Sequence, residues 1–166
     1  MSFQVDTQLL TGSGVAGQAL GILNAGGLNN FSYGASATWQ KIMSAQTLLE
    51  QAFVDAESAC WVVGTNTANK WRQLLRGTST GFFAIEDGCV GNIPVYPTTF
   101  VGSTEQSVVA DWSQCVVGIF GSGVDLVWDP YTKASTGEVV ISANLYWQVF
   151  LRRPSVFVVS TDSAAQ

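Results

Sequence analysis

From residue 139 to residue 151 apolar side chains take every second position: Val139, Ile141, Ala143, Leu145, Trp147, Val149 and Leu151. Glu138, Ser142, Asn144, Gln148 and Arg152 stand between and beside them. A period of two separates the faces of an extended strand. At about 3.3 Å per residue this strand reaches roughly 40 Å, against a usual five or six residues. Pro154 interrupts the ladder, and an apolar run resumes over residues 156–159.

The first half carries a different period. Trp39, Ile42, Met43, Leu49, Phe53 and Ala56 form a helical stripe with polar residues between them, which predicts a helix over residues 38–57 with Ser36 as a possible N-cap. Residues 3–10 read as one or two helical turns, stopped at Thr11 by Gly12 and Gly14. A second helix is predicted over residues 67–76, with Ala68, Trp71, Leu74 and Leu75 inward and Gly77 at its C-cap. Residues 60–63 suit a short buried strand. Further strands are expected at 82–85, 93–96, 107–111, 115–120 and 124–128, with Gly121-Ser122-Gly123 closing a tight hairpin between the last two. Helices early and strands late argue an α+β fold with a mainly antiparallel sheet flanked by helices.

Composition narrows the function. The 166 residues are 47% hydrophobic and 11% charged, where an ordinary soluble domain is about 25% charged. Such a surface suits permanent contact with neighbours. A net charge of −5 offers no positive field to gather nucleic acid or anionic lipid. No run spans a bilayer, and MSFQVDTQLL lacks the basic and apolar regions of a signal peptide. Cys60, Cys89 and Cys115 form no CxxC pair and read as three buried thiols in a reducing compartment.

The chain has no histidine, which removes Ser-His-Asp and Cys-His nucleophile systems and every His-based metal site. Glu86-Asp87 is the one adjacent acidic pair and reads as a solvated loop. Glu105, Asp111, Asp125 and Asp129 lack calcium-loop spacing. Gly12-Ser13-Gly14-Val15-Ala16-Gly17 has the letters of GxGxxG, but a helix precedes it where dinucleotide binding needs a strand. Five of the six tryptophans are better explained as core or interface than as stacking platforms. Arg152-Arg153 with Lys133 could mark an anion site, with a structural role the better explanation. No catalytic, cofactor or metal site is expected.

Several segments, in order, then resemble one family. DTQLLTGSGVAGQALGILNAGG, SACWVVGTNTANKWRQLL, VGNIPVYPTT, VVADWSQCVVGIFGSGVDLVWDPYT and LRRPSVFVVST are similar to successive passages in the C-terminal part of HK97-like tailed-phage major capsid proteins. The resemblance covers about residues 5–161. It implies an HK97-like capsid fold: a short junction helix over residues 1–11, an axial domain over 12–136, a long strand and a closing strand running toward the peripheral domain over 137–161, and a tail over 162–166. It implies a structural subunit of a phage or prophage icosahedral capsid, lacking the family's N-terminal arm, extended loop and long helix. Partners would be copies of itself in pentamers or hexamers, with scaffold or portal proteins, and no specific nucleic-acid sequence or membrane. Location would be the virion capsid, preceded by the bacterial host's cytoplasm. The asparagine and glutamate of the family's cross-link would fall near Gly137 and Asn144, so cross-linking is not expected. Trp147, Phe150 and Arg152 are the expected interface residues. The alternatives are a host-encoded encapsulin-type compartment shell and a stand-alone carbohydrate-binding or adhesive module.

Overall fold

The computed structural model describes residues 2–162 apart from 16, 35, 78, 80 and 102–104. Residues 163–166, most of the expected tail, lie outside the described residues. Three helices are described, α1 (Ser2–Thr11), α2 (Trp39–Gln51) and α3 (Thr65–Gln73). The strands are β1 (Asn29–Phe31), β2 (Cys60–Gly64), β3 (Cys89–Val90), β4 (Ile93–Thr98), β5 (Ser107–Ala110), β6 (Cys115–Asp129), β7 (Val140–Leu151) and β8 (Phe157–Ser160).

Six strands form a body sheet in the order β1-β8-β5-β2-β4-β3. Its β2–β5, β5–β8 and β3–β4 pairs are antiparallel, while β1–β8 and β2–β4 are parallel. The mainly antiparallel α+β expectation therefore holds. Alternation along β2 divides the layers. Trp61 meets Trp71 of α3 edge to face at 5.0 Å, so one face of the sheet is covered by the helices, α2 lying across β1, β5 and β8. Val62 points the other way, toward Leu9 and Leu10 at the end of α1. Trp61, Trp71, Tyr33 and Phe157 are fully buried and anchor a single core.

Local chemistry corrects several boundaries. The helix expected over 38–57 starts as foreseen but is capped by Thr38, whose hydroxyl accepts from the Lys41 amide at 3.4 Å. It stops at Gln51, because Phe53 adopts a left-handed backbone with φ of 58°. That residue turns the chain so that the Val54 amide reaches the Leu49 carbonyl at 3.3 Å and Val54 is buried. Helix α3 begins two residues before its expected start. Glu105, distant in sequence, accepts from the Asn66 amide and side chain, both at 3.1 Å, and places a carboxylate at the helix N-terminus. It also ends early: Leu74 is extended, so Gly77 is not its C-cap and Leu75 is exposed.

The strand expected at 82–85 does not form. Phe82 and Phe83 are exposed, and the segment makes only an isolated bridge between Leu75 and Phe83. Near the N-terminus the glycines serve close approach. A Cβ on Gly12 would lie 2.1 Å from the Ala19 carbonyl oxygen, and one on Gly21 would lie 2.4 Å from the Gly12 nitrogen. The loop folds back on the end of α1 only because both lack side chains.

The largest departure is at residues 115–151. Gly121-Ser122-Gly123 closes no hairpin. The two expected strands around it are one strand, β6, which pairs antiparallel with β7 on both sides of residues 121–123 in a separate two-stranded sheet. The real turn lies at residues 130–139. There Asp129 accepts from the Tyr131 amide at 2.8 Å, the Thr132 amide at 3.1 Å and the Thr132 hydroxyl. Lys133 and Glu138 pair at 3.1 Å across the turn.

Candidate assembly surface

The β6–β7 register decides what the ribbon presents. Cys115 faces Leu151, Val117 faces Val149 and Ile119 faces Trp147. Past the irregularity at residues 121–123 the pairs Val124–Leu145, Leu126–Ala143 and Trp128–Ile141 continue on the same side. Every position on this face is apolar. The opposite face is mixed, with Asp125, Asp129, Ser142, Asn144 and Gln148 beside the exposed Phe120, Val127, Tyr146 and Phe150.

The irregularity is the reason. In an uninterrupted ladder Val124, Leu126 and Trp128 would alternate onto the opposite, mixed side. Three additional residues, with Gly121 and Gly123 at φ of 79° and 98°, absorb the mismatch and return them to the apolar one.

Only the base of that face is covered. Val149 is buried, and Cys115, Trp147 and Leu151 pack against the core. Farther out Ile119, Leu126, Trp128 and Ile141 are 57–68% exposed. Scattered exposed apolar residues are ordinary, but a contiguous apolar face marks an interaction surface.

The expected interface residues do not share one face. Trp147 lies on the apolar face and is half-buried, Phe150 lies on the opposite face and is exposed, and Arg152 is exposed just past β7, its amide donating to the Gln114 carbonyl at 2.9 Å. Val117, Ile119, Val124, Leu126 and Trp128 were not anticipated. Their alternation is visible in the sequence, but the glycines at its centre read as a turn.

Elsewhere the side chains offer little chemistry. A groove of about 660 Å³ between α1 and β7 is lined by Gln4, Gln8, Asn144, Tyr146, Trp147 and Gln148 with apolar neighbours and holds no carboxylate, amine or thiol. Glu86 is not simply solvated: it pairs with Arg76 at 3.3 Å and accepts from the Phe83 amide at 3.1 Å. Lys133, Arg152 and Arg153 do not gather into an anion site. Lys133 is held by Glu138, and Arg153 donates to the Ala52 carbonyl at 3.0 Å. Among the described residues no three metal-binding side chains cluster. The cysteines are free but half-buried rather than buried, and burial pushes the Cys60 and Cys115 thiols up. No described helix is long and apolar enough to cross a membrane.

The body sheet with its projecting ribbon is the architecture of capsid proteins with an HK97-like fold. Over 99% of this chain and 60% of the other, it superposes on a structure from Gordonia phage Cozz with a TM-score of 0.70 at 14% identity. The capsid of an empty GTA particle gives 0.68 at 16% identity, covering 97% and 62%. A virus-like particle from Pyrococcus furiosus gives 0.62 at 11% identity, covering 95% and 62%. The chain belongs to the phage capsid family, whose model matches residues 1–161. It spans about three fifths of the length of these structures. None of the curated proteins matches it.

Proposed function

We propose that this chain is the C-terminal part of a structural capsid subunit that works by self-association, with no catalytic role. The observation that carries the reading is the ribbon's contiguous apolar face joined to a phage capsid fold. Low charge, at 11% of residues, serves the same end, because few groups must be desolvated when copies meet. In this reading residues 12–136 form most of the axial domain and residues 137–161 lead toward the peripheral domain, except that β8 of the latter segment returns into the body sheet between β1 and β5. Trp147, Phe150 and Arg152 lie where neighbouring elements or subunits approach. Assembly would take place in the bacterial cytoplasm and end in the virion, with scaffold and portal proteins as further partners.

A shell protein of a host-encoded compartment is the second reading, supported by the similarity to the Pyrococcus furiosus particle. A gene neighbourhood with portal, protease and terminase favours the phage. The carbohydrate-binding alternative finds no support: Trp128 is the one exposed indole among the described residues, whereas Trp61 and Trp71 are buried at 90° to each other.

Expression of the full gene product, followed by electron microscopy, tests the assembly reading. Closed shells built of pentamers and hexamers are the expected result. A protein that stays monomeric in the presence of its neighbouring gene products would overturn it.

A further inference from the structure

We infer that the β3–β4 edge of the body sheet is closed to strand addition from a second copy of this chain, and that Pro97 closes its last open position. The inference goes beyond the capsid-subunit reading and does not depend on it.

Successive residues of a strand turn their peptide N–H and C=O to opposite edges, so one bond fixes the direction of the rest. In β4 the Val95 amide donates outward to the Gly88 carbonyl at 2.9 Å. Tyr96 therefore turns its peptide groups inward, to the side of its parallel partner Val62 on β2, and position 97 turns outward again. Any residue but proline would present there an N–H with no strand beside it, because β3 pairs only with Ile93 and Pro94. Proline has no N–H to present. Tyr96 and Pro97 are both exposed, so a partner could reach the position.

The rest of this edge is closed by the chain's own bonds. Glu86 and Cys89 exchange amide–carbonyl bonds at 3.0 and 2.8 Å around Asp87 and Gly88, whose φ values of 51° and 76° make a two-residue turn. The peptide groups with which Cys89 would face outward are thereby occupied. Val90 pairs with Ile93, and its carbonyl also accepts from Gln46 Nε2 at 3.2 Å. The opposite edge of the sheet is short. Strand β1 has three residues, and because the Phe31 carbonyl accepts inward from the Thr161 amide at 2.9 Å, Asn30 is the residue that turns outward. A row of unpaired outward donors and acceptors is a template for another strand. Among the described residues neither edge of the body sheet offers such a row, so copies must meet through side-chain surfaces.

Pro97→Val restores the missing donor and tests this. Two such edges, antiparallel about a two-fold axis at residue 97, would exchange two N–H···O bonds that the wild-type chain cannot make, which should tighten association at least about tenfold. Sedimentation equilibrium of the 166-residue wild type and variant at equal concentrations reads the difference, and association through any other surface is common to both. Tyr96→Val changes the exposed side chain while its amide still faces β2, and should not raise association above the wild-type level. Hydrogen exchange of the Pro97→Val chain should show the amide at position 97 protected in the associated protein and open in the dilute one. Melting curves verify folding, and Pro97→Thr carries the same comparison should the valine variant not fold. A Pro97→Val chain that associates no more tightly than wild type, an equal gain in Tyr96→Val, or an amide at position 97 that stays unprotected on association would overturn the inference.

Discussion

At the scale of single residues the polar groups of the body are few and committed. Tyr33 is fully buried, its hydroxyl 2.5 Å from the Ser107 hydroxyl, and the Ser107 amide donates to Ser160 at 2.9 Å. Burial drives the Tyr33 phenol far above its ordinary value, opposed by the bond to Ser107 and reinforced by the charge of Asp162. Ser107→Ala strands the phenol in the core and should cost about 1–3 kcal/mol. Adding Tyr33→Phe should recover much of that loss, and a double-mutant cycle from denaturant unfolding measures the coupling. Asp162 ties the loop after β1 to the chain after β8, accepting from the Ser32 hydroxyl at 2.6 Å and the Tyr33 and Gly34 amides at 2.7 and 2.8 Å. Burial pushes this carboxyl up, but those bonds together outweigh it and hold it below the usual range. A lowered folded value means the contribution is complete above the unfolded value of about 3.9 and disappears as pH falls through the folded one. The melting-temperature gap between wild type and Asp162→Asn should therefore be open at pH 6 and close below about pH 4. A gap that persists in acid would refute it.

At the scale of elements the ribbon shows how three residues can determine the use of a whole strand. Val124, Leu126 and Trp128 lie on the apolar face because residues 121–123 take up a register mismatch, and two of these have a positive φ that only glycine adopts without strain. The double substitution Gly121→Val with Gly123→Val should cost about 1–2 kcal/mol per residue. Hydrogen exchange should show the loss within β6 and β7 while the body sheet keeps its protection. Uniform destabilisation of both sheets would argue against it. The helices teach a related lesson. The apolar stripe of α2 at Ile42 and Leu49 was legible because it follows the helical period, while its end at Phe53 was not. A left-handed phenylalanine, 91% exposed, follows no local preference and is held by the surrounding chain. The start of α3 was hidden for the same reason, since its N-terminal partner is Glu105.

At the scale of the whole molecule the body and the ribbon differ in kind. The body buries Trp61 and Trp71 and closes a core, whereas the outer half of the ribbon leaves an apolar face exposed. Sequence alone determined the class of fold, the long strand of residues 140–151, most of the sheet's strands, and the lack of histidine chemistry. These are properties of local period and composition, which each segment carries without its neighbours. Only the tertiary structure decided which strand β7 pairs with, that the glycines of residues 121–123 form a bulge instead of a turn, and hence which side chains share a face. Pairing register is a relation between distant segments, and shifting it by one residue exchanges the two faces of a strand. No local pattern in β6 could therefore say which of its residues stand beside Trp147.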